Sequence, residues 1–412
     1  MATRRPALGR FLILATLGAA AAQGRALACT TAVISGAATA DGRPILWKSR
    51  DASDLHNQVV WRNDGRYSYL GVVNQGDALG MEIWAGINST GFAIMNSASY
   101  NLDDKETLAE GAIMKLALQS CRTVADFQAL LEASNATGRD TTANFGVIDA
   151  AGGAAIFETG LKAYVRYDAT DPKPAPGGYL IRTNYSESGD AELGSGMLRA
   201  ERARTLFAEI LAAGKLDVAT LLGRVVRDVA NAATGQFPRA PGYAAPFAYI
   251  GDSINRSETA SAAVFHGAAA GEDPRLATMW VILGQPISGA AVPLWVGAGA
   301  VPVPLAVGED PAPLNAAFDR VRDLLIPSRR GDLKRYLDAR VLRAAEPGLL
   351  PALAAVEKAN LERAGALLAA WRTATPEAAA MAAAQEEIAA ATLTATEALL
   401  ARVAAAPPVS TR

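Results

Sequence analysis

The sequence predicts an α+β fold, antiparallel sheets covered by helices. Two observations carry that prediction. Strand-like and helix-like segments alternate in blocks along the 412 residues rather than as repeating strand–helix units, which argues against a doubly wound parallel sheet. A long alanine-rich region then closes the chain, and Ala, Leu and Glu are strong helix formers.

The elements follow in order. Thr30 to Ser35 is short, β-branched and apolar, and Pro44 to Lys48 runs back beside it. Between them Ala40-Asp41-Gly42-Arg43 supplies the turn, with Asp-Gly a strong hairpin signal. Further strands are expected at Val59 to Trp61, Tyr67 to Val73, Met81 to Ala85 and Gly91 to Asn96, with 86–91 as a turn between the last two. Leu108 to Leu118 and Val124 to Ala133 are expected helices, the second capped by Thr123. A second strand block covers Ala143 to Asp149, Ala154 to Glu158, Tyr164 to Asp168 and Gly178 to Thr183. Helices return at Met197 to Ala213 and Val218 to Ala230, and Thr259 to His266, Thr278 to Leu283 and Leu294 to Val296 complete the strands. After about Val307 the character changes: Leu314, Ala317, Phe318, Val321, Leu324 and Leu325 share one helical face. Leu349 to Ala406 reads as two or three helices broken around Thr373 to Pro376, a packing or homo-oligomerisation surface to which no chemistry is assigned. The organisation expected is a leader at 1–28, a core domain at 29–308 and a helical extension at 309–412.

The leader has three parts: Arg4, Arg5 and Arg10, an apolar run from Phe11 to Ala22, and small residues at Ala26-Leu27-Ala28. That is a secretory signal, and the protein is expected outside the cytoplasm, periplasmic or secreted. Arg4-Arg5 is followed by Pro-Ala-Leu, a poor twin-arginine pattern, so the export route stays open. Cleavage after Ala28 makes Cys29 the first residue, joining a thiol and a free α-amine in one residue. An amine with a reference pKa of about 7.7–8 can serve as the base for that thiol. Two other fates of Cys29 stand beside this one. It could pair with Cys121, since exported cysteines form disulfides. It could also be acylated as a lipoprotein anchor, although Ala26 stands where such sites usually carry an aliphatic residue. In the hairpin, Lys48, Arg50 and Asp51 return to the end where Cys29 lies. A nearby cation lowers a thiol's pKa, and a nearby carboxylate orients an ammonium.

Composition narrows the chemistry. With a net charge of −2, and all four leader arginines lost on cleavage, the chain carries no basic stripe for nucleic acid. Only two histidines exist, His56 and His266, so histidine-based triads have little material. No HExxH, paired-cysteine knuckle, GxGxxG or GxxxxGK[ST] occurs, and neither metal nor cofactor is expected. After the leader no run of about 18 apolar residues is free of charge and proline, so no stable membrane span is expected.

Several blocks together resemble a known family. They are Cys29-Thr30-Thr31, Asp41 to Asp51, Trp84 to Asn96, Asn144 to Asp149, Ile181 to Ser186, Ser253 to Ser257, Gly284-Gln285-Pro286 and Pro293-Leu294-Trp295. In this order, over roughly 29–303, they resemble the choloylglycine hydrolase and penicillin V acylase superfamily, on the branch of isopenicillin-N acyltransferase-like and carcinine-hydrolase-like proteins. The resemblance implies a four-layer αββα sandwich of the N-terminal-nucleophile (Ntn) hydrolases. It implies Cys29 as nucleophile, with its amine as base and then acid, and Asp51 as the holder of that amine. It implies the Asn184 side chain and the Asn96 backbone N–H as oxyanion donors, and Arg256 as a support of the pocket. One position departs: bile-salt hydrolases carry an arginine three residues before the aspartate, and here that residue is Lys48. Lysine supplies charge but no forked contact, which turns expectation from bile salts towards the acyltransferase-like branch. Arg50 is a substitute expected to point to the opposite face of the strand. The activity implied is hydrolysis of linear C–N amides: N-acyl amino acids or amines, penicillin V-like amides or acyl-homoserine lactones. The partner expected is thus a small acylated amide. Acyl transfer to an amine is the alternative at the same site, and a lipid-anchored, non-enzymatic protein acylated at Cys29 is the other. The aromatic residues between Trp47 and Tyr100 suit an apolar acyl pocket.

Overall fold

The computed structural model describes residues 28–102, 109–306, 308, 310–344 and 348–405. Except for Ala28, the expected leader lies outside the described residues. The first sheet contains β1 (Thr30–Ile34), β2 (Ile45–Asp51), β10 (Tyr179–Arg182), β12 (Thr259–His266), β13 (Thr278–Leu283) and β14 (Val292–Leu294), in the order β10-β1-β2-β12-β13-β14. The second is a meander of β3 (Asn57–Arg62), β4 (Tyr69–Asn74), β5 (Ala85–Asn88), β6 (Ala93–Ala98), β7 (Ala143–Ile148), β8 (Ala154–Thr159) and β9 (Tyr164–Asp168). All neighbours in both sheets are antiparallel. A short pair, β11 (Phe247–Tyr249) with β15 (Tyr336–Asp338), stands apart and has no counterpart in the sequence reading.

The sheets stack face to face. At Gly146 of β7 a Cβ would meet Val33 of β1 at 2.8 Å and Leu46 of β2 at 3.2 Å, so only glycine lets the sheets approach there. Because helices cover both outer faces, β1 and β2 are buried along their whole length. On the second sheet lie α1 (Glu110–Ser120) and α2 (Val124–Asn135). Phe127 of α2 meets Phe145 and Phe157 edge-on at 5.6 and 5.3 Å, pairs worth about 0.5–1.5 kcal/mol each beyond burial. Thr123 caps α2 as expected, in a capping box with Asp126. On the first sheet, α3 (Met197–Ala213) lays Phe207 on Trp47, with ring centroids 6.3 Å apart. The result is an αββα sandwich, the fold class expected.

Helices α5 (Pro313–Leu325), α6 (Ala339–Arg343), α7 (Leu349–Trp371) and α8 (Ala378–Ala405) follow the sandwich. Residues Leu368, Trp371, Met381 and Ile388 belong to the same apolar core as the first sheet, and Trp371 meets Trp295 at 4.7 Å. Buried Arg227 and Glu357 of α7 pair at 2.6 Å, and Glu357 also accepts from the Ala291 N–H just before β14. By length and composition α8 alone among the described helices could cross a membrane. It nonetheless buries Met381, Ile388, Thr392 and Leu399 within the protein.

Three segments differ from expectation. The strand expected at Leu294 to Val296 is β14, Val292–Leu294, with a 3-10 turn over Val296–Ala298 after it. The strand expected at Met81 to Ala85 is displaced to β5, Ala85–Asn88, and the turn expected at 86–91 is confined to 89–91. Gly86 is there because a Cβ would sit 2.5 Å from Leu118 of α1 and 2.7 Å from the Leu70 carbonyl. The helix expected over Val218 to Ala230 is a short α4 (Val218–Thr220) that widens into a π-turn over Leu221–Val226. It ends because Arg227 turns inward, donating to the Pro286 and Gly289 carbonyls and to Glu357.

Candidate active site

Cys29 lies at the end of the central strand pair. Thr30 stands opposite Ser49 and Thr31 opposite Lys48, while on the other side Thr31 stands opposite Arg182. Continued past the strand ends, these registers bring Cys29 level with Arg50 on one side and Asn184 on the other. Cys29 and Ala28 are both buried, and Ala28 lines a cleft of about 1180 Å³. Cys29 and Cys121 are both unpaired, so the disulfide alternative is not what the structure holds. His56 and His266 face Asp319 and Asp41, at 3.2 and 2.9 Å.

The other five expected residues fall into linked groups around the cysteine. Lys48 crosses the sandwich and donates to Asn96 Oδ1 at 2.5 Å and to the Trp84 carbonyl at 2.7 Å. Burial pushes its ammonium down to about 8, opposed by the negative charge a Cys29 thiolate carries. Arg50 differs from expectation: residues two apart in a strand share a face, and both Arg50 and Lys48 lie over the Trp84 ring, at 4.6 and 6.0 Å. Its guanidinium donates to Asn57 and Asn74, and burial pushes it down to about 10 while Cys29 and nearby carboxylates pull it back.

Asp51 is the end residue of β2, opposite Thr259. Its Oδ1 accepts from the Thr259 hydroxyl at 2.7 Å. Its buried Oδ2 has no hydrogen-bond partner among the described residues, and Arg256 Nε stands 3.6 Å away. Burial raises this carboxyl to about 6, with Arg256 and Arg199 drawing it back down.

Asn184 has its amide fixed at both ends. Oδ1 accepts from Arg199 Nη2 at 3.1 Å, and Nδ2 donates to the Ala98 carbonyl at 3.0 Å. A side-chain amide has two N–H donors, so the bond to Ala98 leaves the second hydrogen of Nδ2 uncommitted. Arg199 is the residue that sequence reasoning missed. From the first turn of α3 its Nη1 donates to the Cys29 carbonyl at 2.5 Å and to the Thr30 hydroxyl at 2.8 Å. One buried guanidinium therefore ties nucleophile strand and asparagine together, through charged hydrogen bonds worth about 1.5–3 kcal/mol each. Gly196, at φ +86°, permits it, since a Cβ there would sit 2.2 Å from Arg199 Nη2. That glycine is the faint sequence signal; an arginine on an amphipathic helix otherwise reads as a solvated face.

The region after Val307, to which the sequence reading gave no chemistry, also reaches the cleft. Arg322, Arg329, Lys334 and Arg335 line it together with Arg256. The reason is that α5 turns its apolar face to the core while its last turn and the following connector meet the cleft.

The described residues thus form an antiparallel αββα sandwich in which Cys29 directly precedes the central strand β1. Among solved structures, the chain is similar to a Caenorhabditis elegans N-acylethanolamine-hydrolyzing acid amidase ortholog, at 14% identity and TM-score 0.38 over 58% of this chain and 92% of that one. It is similar to a variant of conjugated bile acid hydrolase from Clostridium perfringens, at 12% identity and TM-score 0.37 over 62% and 89%. It is also similar to penicillin V acylase from Agrobacterium tumefaciens, at 14% identity and TM-score 0.34 over 65% and 86%. No family model and no curated protein sequence matches the chain. At these values the three structures are what the chain resembles and no more.

Proposed function

We propose that this chain is an exported hydrolase of linear amide bonds that works through Cys29 once the bond to Ala28 is cut. One observation carries the proposal: Ala28 lines the cleft, and Cys29 follows it directly at the head of β1. Removing the leader at that bond opens the cleft to a sulfur and an α-amine together. The Oδ2 of Asp51, which accepts no hydrogen bond among the described residues and has Arg256 at 3.6 Å, is the acceptor such an ammonium would use.

The chemistry then follows from the surrounding groups. The amine takes the thiol proton, and Sγ attacks the amide carbonyl carbon. The oxyanion receives the free Nδ2–H of Asn184 and the Asn96 N–H, preorganised donors worth about 3–4 kcal/mol each. The amine returns its proton to the leaving nitrogen as the C–N bond breaks, leaving a thioester on Cys29. Water activated by the same amine adds to the thioester, and the acid departs as sulfur regains its proton. Lys48 holds Asn96 in place, and Arg256 balances the Asp51 charge.

Terminal sequencing of the exported protein and a panel of acyl amides with detection of released amine test this reading. Expected are Cys29 as first residue and amine release that Cys29→Ser abolishes. Another first residue, or a blocked first nitrogen, would sink the mechanism. An added amine that captures the acyl group would turn the assignment to acyl transfer. A mass increased by acyl chains at Cys29 would turn it to a lipid-anchored protein.

A further inference from the structure

Resting on the amide-hydrolase reading, we propose that Asn144 is a positioning residue that fixes the spacing of the two oxyanion donors, the Asn184 side chain and the Asn96 N–H. Asn144 is fully buried in β7. It stands opposite Ser97 of β6 on one side and Glu158 of β8 on the other. The three side chains therefore form a row across the sheet, on one face. That face is turned to the first sheet, because Gly146, two residues along β7, is the position whose Cβ would meet Val33 and Leu46.

This row grips the segment that carries Asn184. Past Arg182, the last residue of β10, residues 183–188 form no helix or strand, and their one bridge joins Asn184 to Ser195. Asn144 Nδ2 donates to the Tyr185 carbonyl at 3.0 Å and to the Thr183 carbonyl at 3.4 Å, on the residues that flank Asn184. The same nitrogen donates to Ser97 Oγ at 3.2 Å, on the residue after Asn96. Asn144 Oδ1 accepts from the Ser186 hydroxyl at 2.6 Å, and that hydroxyl also meets Ser99 Oγ at 2.8 Å. Glu158 takes the outer positions. It accepts from Arg182 Nε at 2.6 Å and from the N–H groups of Glu187 and Ser188 at 2.8 and 2.7 Å. One amide thus touches neighbours of both donors, although one donor lies in β6 and the other follows β10. Three of its four bonds go to the irregular segment rather than to its own sheet. An oxyanion gains from two donors only when both aim at one point, and a displacement of about 1 Å can cost about 10²-fold.

The test compares Asn144→Asp with the wild-type protein, each as the full exported chain. The substitution keeps the size of the side chain and the oxygen that Ser186 uses, while an ionised carboxylate has no N–H to donate. Expected is a kcat for amide hydrolysis about 10²-fold lower, with KM within about threefold. Backbone hydrogen exchange at 183–186 is expected to be at least about tenfold faster, with α2 unchanged. If Asn144→Asp does not fold, Ser186→Ala removes the hydroxyl bonded to Oδ1 and is expected to lower kcat about threefold, with the same local rise in exchange. A kcat within about twofold of wild type in a folded variant overturns the proposal. Exchange that rises equally throughout the chain also overturns it, since that marks a purely structural role. The two readings fail separately. A wild-type protein that releases no amine sinks hydrolysis, and exchange alone then decides the clamp: a rise confined to 183–186 keeps it, and unchanged exchange removes it. Hydrolysis that is as fast in Asn144→Asp as in wild type sinks the clamp and leaves the hydrolase.

Discussion

The molecule holds two buried thiols, and they sit in opposite surroundings. Cys121 follows α1 in an apolar cluster with Phe92, Leu118 and Phe127, and burial pushes its thiol up to about 11. Cys29 leads a central strand, its carbonyl takes a hydrogen bond from Arg199, and the ionisation of Lys48, Arg50 and Arg199 responds to its charge. Burial alone therefore says little about a cysteine. What separates them is whether cations and a cleft stand beside the sulfur.

Exchange of the two sulfurs sharpens that contrast most. Cys29→Ser is expected to lower amide hydrolysis more than about 10³-fold, read as released amine per enzyme. Alkylation of the folded protein near neutral pH, followed by peptide mass analysis, should modify Cys29 well before Cys121. Prior labelling of Cys121 would break the comparison.

Arg199→Gln comes next. It removes the fork that joins the Cys29 carbonyl, Thr30 and Asn184, and misplacement of this kind costs about 10²-fold in kcat/KM. A denaturation midpoint measured beside the rate separates lost positioning from lost folding.

A pH series probes Asp51. With its carboxyl raised from 3.8 to about 6, the folded state binds this proton more readily than the unfolded chain does. Stability contributed by this group therefore rises as pH falls from about 6 towards 4 and is lost as pH climbs back through 6. Activity is expected to move the other way, falling below pH 6 as the acceptor for the amine is protonated. Asp51→Asn should abolish that acid limb and lower the rate by about 10-fold to 10²-fold; a limb that persists would assign it to another group. The smallest effect belongs to Cys121→Ser, expected within about twofold in kcat/KM and near 1 kcal/mol in stability.

Much of this architecture could be read from residues close in sequence. The Asp-Gly turn and the flanking apolar strands set the hairpin that returns Lys48, Arg50 and Asp51 to Cys29. Helix α3 has the limits its periodicity suggested, Met197–Ala213. What escaped reading depends on contacts between distant segments. Gly86 reads as a turn residue until Leu118 is seen above it. Arg199 reads as surface until α3 is laid on the strand ends, 170 residues in sequence from Cys29. Arg322 reads as one more charge on a helix whose apolar stripe attracts attention elsewhere. Period-based patterns report which face is buried, and they are silent on a polar side chain buried for its hydrogen bonds.

The Arg227–Glu357 pair has a practical consequence for anyone shortening this protein. An alanine-rich tail invites truncation as if it were dispensable, yet cutting before Leu349 would strand the guanidinium and uncover Trp295. Such a shortened product is expected to accumulate in inclusion bodies, whereas a single protease nick between α7 and α8 leaves both helices docked.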